Sequence, residues 1–238
     1  MANGESDSRV SNEYRGTTVK AFLSLLLILG IVFIPAGRID YWQGWLFVGV
    51  NVVVISALLT RFVTNPDFRG LGKERMKPGP GTKWWDKVFY AFYVPAFFLV
   101  IVVGCLDVGR FVWTTELPWP VYIIGAVALA FSDVLVMWAM WTNKFFSSVV
   151  RIQTDRGQTV VQSGPYRFVR HPGYVAAILM GVGSSLTLGS LWGLVPAATV
   201  AILLVVRTYL EDITLRRELP GYADYARKVR HRLLPGVW

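Results

Sequence analysis

Polar residues that could bind a charged ligand crowd into residues 163–174, directly before a long apolar run. Gly164 and Pro165 are typical of a turn, and Pro172 suits the first turn of a helix, where its missing N–H is not needed. The free N–H groups at such a helix start, together with Arg170, could bind an anion at a membrane surface. A basic, aromatic anchor that orients the helix is an equally good interpretation of this segment alone.

A second group of charges, Arg207, Glu211 and Asp212, follows the same apolar run. Arg207 and Glu211 are four residues apart, so an ion pair within one helix is the simplest interpretation. The two adjacent acids lie at the carboxyl end of an apolar helix, where negative charge is disfavoured, and a cationic partner would offset that cost. If the run folds into a hairpin, an anion site and a cation site face each other, which suits a zwitterionic ligand.

The third group is the tail, residues 219–238, which is rich in basic and aromatic residues. An amphipathic helix on the membrane surface, attracted to anionic lipids, is one interpretation. The tail could equally fold back as a lid over the site, with Tyr222 and Tyr225 lining it. Asn143, Lys144 and the two phenylalanines that follow lie at the correct end of an earlier apolar segment to contribute.

Asp133 is the one buried ionisable group that we expect inside the predicted membrane spans. An acid within such a span is by default a sign of function. Its distance in sequence from the three charged groups nevertheless favours structural pairing with another polar residue, such as Asn51.

These groups belong to a chain that is too apolar for a soluble domain. Of its 238 residues, 54% are hydrophobic and 16% are charged, and its mean hydropathy is +0.46. Soluble domains carry about 25% charged residues. The composition therefore indicates a polytopic integral membrane protein.

The formal net charge of +9 comes from 24 Lys and Arg residues against 15 Asp and Glu. Nucleic-acid binding is disfavoured, because basic residues in a membrane protein mostly orient it and contact anionic lipid headgroups. The single cysteine, Cys105, lies in an apolar run and excludes a disulfide framework. The two histidines, His171 and His231, are far apart in sequence, so no metal site is expected.

Length and hydropathy predict an all-α fold with about six transmembrane segments, since one crossing takes about 20 apolar residues. The last apolar stretch has 32 residues and would be about 48 Å long as one helix. We therefore interpret it as a helical hairpin with short arms that turns near Gly189 and Gly193, followed by a cytoplasmic C-terminal amphipathic helix. The predicted apolar stretches are residues 19–36, 42–63, 88–106, 121–141 and 175–206.

The basic residues predict the orientation of these segments. Twenty-two of the 24 Lys and Arg residues fall on one side of a six-segment arrangement, and only Arg38 and Arg110 fall on the other. This asymmetry predicts a multi-pass protein with both termini cytoplasmic. Residues 1–18 are then a polar cytoplasmic segment, because a cleaved signal peptide needs a basic start followed directly by an apolar stretch.

Several of these features together resemble the isoprenylcysteine carboxyl methyltransferase family. They are Gly164-Pro165-Tyr166, Arg170-His171-Pro172-x-Tyr174, the apolar hairpin, the acidic pair and a Gly-Tyr…Tyr…Pro-Gly tail. The core of that family is similar to that of phospholipid N-methyltransferases of the membrane. The resemblance covers roughly residues 143–238. The Arg-His-Pro-x-Tyr element alone is less specific, since membrane sterol and enone reductases carry a similar one.

The resemblance implies an S-adenosylmethionine methyltransferase without a Rossmann domain. Its catalytic core is then residues 142–238, and residues 19–141 form four preceding transmembrane segments. Arg170 and Glu211 are the expected catalytic residues, and Asp212 stands where the family usually has a second Glu. The motif implies that Tyr166, Arg170, His171, Pro172, Tyr174, Glu211 and Asp212 bind the cofactor. Substrate binding is expected from Asn143, Arg207, Tyr222 and Tyr225, with no metal.

The expected acceptor is lipophilic or lipidated and reaches the enzyme from the bilayer, as a prenylcysteine carboxylate would. A carboxylate needs no general base, and a cation such as Arg170 could hold it. A phospholipid amine or a small thiol is also a possible acceptor, and the acidic pair could then accept the proton that such a group must lose. Two different functions compete with methyl transfer: a membrane NADPH-dependent sterol or enone reductase, and a transporter.

Overall fold

The computed structural model describes residues 22–64 and 81–238. The predicted polar segment 1–18 lies outside the described residues, as do residues 65–80. The described part contains seven α-helices and no strand, which confirms the all-α class. In chain order they are α1 (Phe22–Ala36), α2 (Trp42–Thr64), α3 (Trp84–Cys105), α4 (Trp119–Thr142), α5 (Pro172–Thr187), α6 (Leu194–Glu218) and α7 (Tyr222–Lys228).

Three of these helices are long and apolar enough to cross a membrane. A π-helical turn, Leu106–Phe111, continues α3, so that Trp84–Phe111 forms one span of 28 residues, and α4 and α6 are the other two. The apolar stretches Phe22–Ala36, Trp42–Val54 and Pro172–Thr187 are shorter. Large apolar side chains are exposed along the long helices, as a lipid-facing surface requires. The described residues therefore fit a membrane protein.

The connections between helices gather at the two ends of the bundle. At one end, the Arg110 guanidinium donates to the Ile34 carbonyl at 3.1 Å, and the Tyr41 hydroxyl donates to the Leu188 carbonyl at 2.6 Å. At the other end, Lys83 N–H donates to the Val150 carbonyl at 3.2 Å. Residues 37–41, 112–118 and 188–193 thus lie at one end, and residues 81–83, 143–171 and 219–238 lie at the other.

The predicted hairpin is present as α5 and α6. Residues 188–193 form its turn, in which Gly189 adopts a φ of +78° that favours glycine. The expectation of short arms is correct for α5, which has 16 residues, and wrong for α6, which has 25. The second arm is longer because the helix continues past Val206 through charged residues that form ion pairs within the protein, such as Arg207 with Asp86 and Asp212 with Arg170.

Glycines allow α4 and α5 to pack at backbone distance. A Cβ at Gly125 would lie 2.5 Å from the Thr187 nitrogen, and a Cβ at Gly183 would lie 2.7 Å from the Leu129 nitrogen. Small residues at helix contacts permit this approach in membranes, where burial of apolar surface contributes little. The contact fixes the end of α5 against the first half of α4.

Two acids that lie outside the predicted apolar stretches are buried at the two ends of the α3 span. Asp86 and Asp107 are both fully buried, because α3 begins at Trp84 and continues beyond residue 106. Asp107 accepts hydrogen bonds from the Thr114 N–H, the Thr114 hydroxyl and the Ser190 hydroxyl at 2.5 to 2.6 Å. The expectation that Asp133 is the one buried acid of the spans was therefore wrong.

The suggested partner of Asp133 is engaged elsewhere. The Asn51 amide donates to the Phe47 carbonyl one turn earlier, at 2.8 Å. Asp133 Oδ2 has no hydrogen-bond partner among the described residues. The pairing of Asp133 with Asn51 was therefore wrong, since an amide can satisfy itself on its own helix backbone.

Candidate active site

A pocket opens at the end of the bundle where α5 begins and α6 ends. It contains about 830 Å³ of empty space, part of which is open solvent. Its walls are the connection 143–161, the start of α5, the end of α6 and the tail. Nine of the eleven predicted site residues line it, namely Asn143, Tyr166, Arg170, His171, Pro172, Tyr174, Glu211, Tyr222 and Tyr225. Asp212 and Arg207 lie behind its surface.

The turn before α5 is shaped by Gly164. This residue has a φ of +56° and begins the 3-10 turn Gly164–Arg167, and a Cβ there would lie 2.5 Å from the Thr142 hydroxyl. Tyr166 follows and is held by its backbone, since the Tyr225 hydroxyl donates to its carbonyl at 2.6 Å. The glycine thus lets the chain leave α4 closely enough to bring Tyr166 into the pocket wall.

Arg170 and Asp212 form a bidentate ion pair between the start of α5 and α6. Nε lies 2.8 Å from Oδ1 and Nη2 lies 3.2 Å from Oδ2, and the two side chains are buried. Nη1 also donates to the Val229 and Arg230 carbonyls at 2.7 and 2.9 Å. The donors of Arg170 are therefore largely used by the protein, although the residue lines the pocket.

Asp212 is the centre of a larger network. Besides Arg170, it accepts from Arg216 Nε at 3.0 Å, from Arg232 Nε at 3.1 Å and from the Tyr222 hydroxyl at 3.0 Å. Three arginines around one carboxylate leave a local surplus of positive charge. The network joins α6 to the start of α5 and to two parts of the tail.

The tail consequently folds back over the pocket. The Arg170 and His171 N–H groups donate to the His231 and Arg232 carbonyls, each at 3.0 Å. Helix α7 has only seven residues and buries Tyr222 and Tyr225 against the protein. The tail thus follows the second interpretation of its sequence, a lid, and a longer helix on the membrane surface is not seen in it.

The phenols of this lid remain hydrogen-bond donors at neutral pH. Burial raises the pKa of Tyr222 well above its usual value, and the nearby Asp212 carboxylate raises it further. Burial likewise raises the pKa of Tyr225, with a further contribution from Tyr166. Both side chains therefore stay neutral and keep the lid attached to the helices below.

Glu211 is the acid of the pair that faces the pocket. The Tyr174 hydroxyl donates to its Oε2, and the Tyr174 ring stacks on His171 with centroids 5.5 Å apart. Glu211 does not pair with Arg207. That arginine lies 3.0 Å from the Asp86 carboxylate on α3 instead, because Asp86 is buried beside it and needs a positive partner.

The connection 143–161 forms a wall that the sequence analysis largely missed. Gln153 organises it: its side chain donates to the Phe145 carbonyl at 2.7 Å, and its N–H donates to the Gln158 side chain at 2.7 Å. Phe145, Phe146, Gln153 and Gln158 all line the pocket. Glutamines on either side of Gly157, a residue with positive φ, were the available signal of an ordered loop.

Comparison with known proteins finds methyltransferases that are similar to part of this chain. Residues 120–219 match the family described as phospholipid methyltransferase. Two rice proteins, from Oryza sativa subsp. indica and subsp. japonica, are each named probable protein-S-isoprenylcysteine O-methyltransferase and are 32% identical over 127 residues. Over this part of its sequence the chain is therefore similar to membrane methyltransferases. The alignment covers 50% of the chain and 63% of each relative's length.

The family match covers α4, α5 and α6 with the connections between them. It therefore includes the Arg170–Asp212 pair and Glu211. It excludes α7 and the rest of the tail, which complete the pocket, and it excludes Asp86 on α3. The pocket is thus built partly from residues beyond the matched region.

The pocket lining is suited to the methyl donor implied by the resemblance. It offers one carboxylate, Glu211, together with several aromatic rings. Its guanidinium groups, among the described residues, are both paired, Arg151 with Asp155 at 2.9 Å and Arg170 with Asp212. This donor set fits a ligand that carries a cation and an aromatic base better than one that carries several phosphates.

Proposed function

We propose that this chain is a membrane-embedded, S-adenosylmethionine-dependent methyltransferase. The observation that carries the proposal is the arrangement of Glu211, the N-terminus of α5 and a ring of aromatic side chains around one pocket at the end of the bundle. The similarity to known methyltransferases supports the class of reaction. The chemistry of the pocket supports the donor.

Distinct parts of the pocket would hold the donor. S-adenosylmethionine supplies an activated methyl group on a sulfonium, and it also carries an ammonium, a carboxylate and an adenine. Glu211 would bind the ammonium, with its carboxylate oriented by Tyr174. The start of α5, where Gly173 follows Pro172, would attract the carboxylate through the positive end of the helix dipole. Aromatic lining residues such as Phe146 would contact the adenine and the sulfonium.

Arg170 and Asp212 would act by positioning. Their bidentate pair uses donors that would otherwise reach a ligand, and it holds the lid and the start of α5 together. We therefore assign the direct contact with the donor to Glu211. The surplus positive charge of the three arginines around Asp212 would attract an anionic group of a ligand at a distance, without a direct hydrogen bond.

The acceptor is proposed to be a lipophilic carboxylate such as a prenylcysteine, as the names of the two rice relatives suggest. Helix α5, with 16 residues, is about 24 Å long, which is shorter than the hydrocarbon thickness of about 30 Å. Its start would therefore lie below the membrane surface, within reach of a lipid chain. A phospholipid amine is the second candidate, because the family match carries that name.

The residues of the pocket would contribute orientation and exclusion of water. A carboxylate acceptor has no proton to lose, so no general base is required of the chain. Holding acceptor and methyl in line replaces a bimolecular encounter, which is the largest contribution that positioning can make. The lid residues Tyr222 and Tyr225 would keep water from the reacting atoms.

We also infer six membrane segments with both termini on the cytoplasmic side. The distribution of 22 of 24 basic residues supports it. The gathering of residues 37–41, 112–118 and 188–193 at one end of the bundle supports an alternating path of the chain. The pocket would then face the cytoplasm.

Purified protein in detergent tests the function in two steps. Calorimetric titration with S-adenosylmethionine and with NADPH should give binding of the first and none of the second. Transfer of a labelled methyl group is then measured to N-acetyl-S-farnesylcysteine, to phosphatidylethanolamine and to an alkyl thiol. We expect label in the first acceptor. Lack of S-adenosylmethionine binding, or binding of NADPH in its place, would overturn the proposal.

A further inference from the structure

A second buried acid–arginine pair lies behind the pocket. Asp86 Oδ1 on α3 and Arg207 Nη2 on α6 are 3.0 Å apart, and their side chains are 0% and 4% exposed. Neither residue lines the pocket. Burying two charges costs free energy that a hydrophobic pair would not, so such a pair is weak support for stability alone. The hydrogen bonds of the two side chains to residues 148–150 indicate a different role, which is to hold that segment in place.

That segment is residues 148–150, a non-helical part of the pocket wall. Val150 N–H donates to Asp86 Oδ2 at 2.8 Å, and Arg207 Nη2 donates to the Ser148 carbonyl at 2.5 Å. The Tyr90 hydroxyl donates to the same carbonyl. Ser147, Val149, Val150 and Arg151 line the pocket. The pair thus holds the backbone of residues 148–150, the segment from which this wall of the pocket is built.

The same guanidinium also supports the opposite side of the pocket. Arg207 lies 5.3 Å from the Tyr174 ring centroid and 4.4 Å from the Phe89 centroid. The Tyr174 hydroxyl donates to Glu211, the acid that faces the pocket. Because Arg207 contacts both Tyr174 and the Ser148 carbonyl, it sets the distance between the wall and Glu211.

We propose that Asp86 and Arg207 are positioning residues that control the affinity of the pocket for its methyl donor without touching it. This inference rests on the proposed binding of S-adenosylmethionine. Without the pair, the wall 148–150 and the Tyr174 ring are less restrained, so the ligand must order them when it binds. The expected effect is therefore on affinity, and the reaction of the bound state changes little.

The test compares Asp86→Asn with Glu218→Gln in the full-length protein. Glu218 forms another ion pair between the start of α3 and α6, to Lys83 at 2.7 Å, and its half-exposed side chain does not line the pocket. The Lys83 N–H that donates to the Val150 carbonyl belongs to the backbone and is not removed by this substitution. We expect Asp86→Asn to raise the KM for S-adenosylmethionine about tenfold with kcat within about twofold of wild type. Glu218→Gln should leave both constants unchanged.

A role in folding alone gives a different pattern. A smaller fraction of active protein lowers the apparent kcat and leaves KM at its wild-type value, and that result for Asp86→Asn would overturn the inference. If Asp86→Asn does not fold, Tyr90→Phe takes its place, since it removes the hydroxyl that accepts from Arg207 Nη1 at 3.1 Å and donates to the Ser148 carbonyl. We expect Tyr90→Phe to raise the KM for S-adenosylmethionine about threefold, and an unchanged KM would overturn the inference.

Titration of the wild type comes first. If the wild type does not bind S-adenosylmethionine, the proposed function fails. If it binds and the variants have an unchanged KM, only the positioning role is rejected.

Discussion

Arg170 and Asp212, 42 residues apart in sequence, meet as a bidentate pair with contacts of 2.8 and 3.2 Å and almost no exposed surface. The pair connects the start of α5 to α6, and the Val229 and Arg230 carbonyls complete the shell of Arg170. The neighbouring acid, Glu211, faces the pocket. Two adjacent acids therefore have separate tasks: one holds the structure together and the other is available to a ligand.

Replacing Asp212 by Asn should destabilise the protein. The variant leaves the buried Arg170 without its counter-charge, and breaking a buried pair in this way costs about 3 kcal/mol of unfolding free energy. Thermal unfolding in detergent, followed by near-UV circular dichroism, measures the loss. Asp224→Asn is the matched control, because Asp224 forms an exposed ion pair with Arg227 in the same part of the chain. Equal midpoints for both variants would contradict a structural role for Asp212.

Replacing Glu211 by Gln should have the opposite pattern. The amide keeps the shape of the side chain and can still accept from Tyr174, so the unfolding midpoint should stay close to that of the wild type. Removing the carboxylate should weaken binding of S-adenosylmethionine about 30-fold, as expected for loss of a charged hydrogen bond of about 2 kcal/mol. Calorimetric titration measures the affinity. Wild-type affinity in this variant would move the cation site away from Glu211.

The local features of this fold could be predicted from the sequence. Apolar length located helices α1 to α4, and Gly189 and Gly193 marked the turn of the hairpin. The cluster of Arg170, Tyr174 and Glu211 could be placed at one pocket because both ends of a hairpin lie side by side. These conclusions needed only residue types at short spacing.

The partners of the charges could not be predicted in the same way. Arg207 is one turn from Glu211, and only the packing of α3 against α6 brings it to Asp86 instead. The third predicted apolar stretch begins at residue 88, so Asp86 fell outside it. The choice for Asp212 among Arg170, Arg216 and Arg232 depends likewise on how the tail folds back.

Replacing Gly173 by Ala should narrow the pocket without weakening the fold. A Cβ at this position would lie 2.8 Å from Cε2 of Phe146, a pocket-lining ring that must then move. We expect the KM for S-adenosylmethionine to rise about fivefold, while the unfolding free energy stays within about 0.5 kcal/mol of wild type. Steady-state kinetics with a labelled methyl donor and thermal unfolding measure the two quantities.

The control for Gly173→Ala is Gly181→Ala on the same helix. The closest atom to a Cβ at Gly181 is Ala197 Cβ at 3.6 Å, which is an ordinary contact. This variant should keep both the wild-type KM and the wild-type stability. A shared rise of KM in both variants would show that α5 responds to added methyl groups in general, and it would reject the specific contact with Phe146.

Replacing Gly125 by Ala should destabilise the contact between α4 and α5. The added Cβ would lie 2.5 Å from the Thr187 nitrogen and 2.7 Å from the Leu186 carbonyl carbon, and backbone atoms cannot move aside as a flexible side chain can. The helices must separate, and overpacking of this kind lowers the unfolding free energy by about 1 to 3 kcal/mol.

Gly49→Ala on α2 is the matched control, since no atom lies within 4 Å of its Cβ position. The unfolding midpoint in detergent should fall for Gly125→Ala and not for Gly49→Ala. An unchanged midpoint for Gly125→Ala would refute close backbone packing at this site.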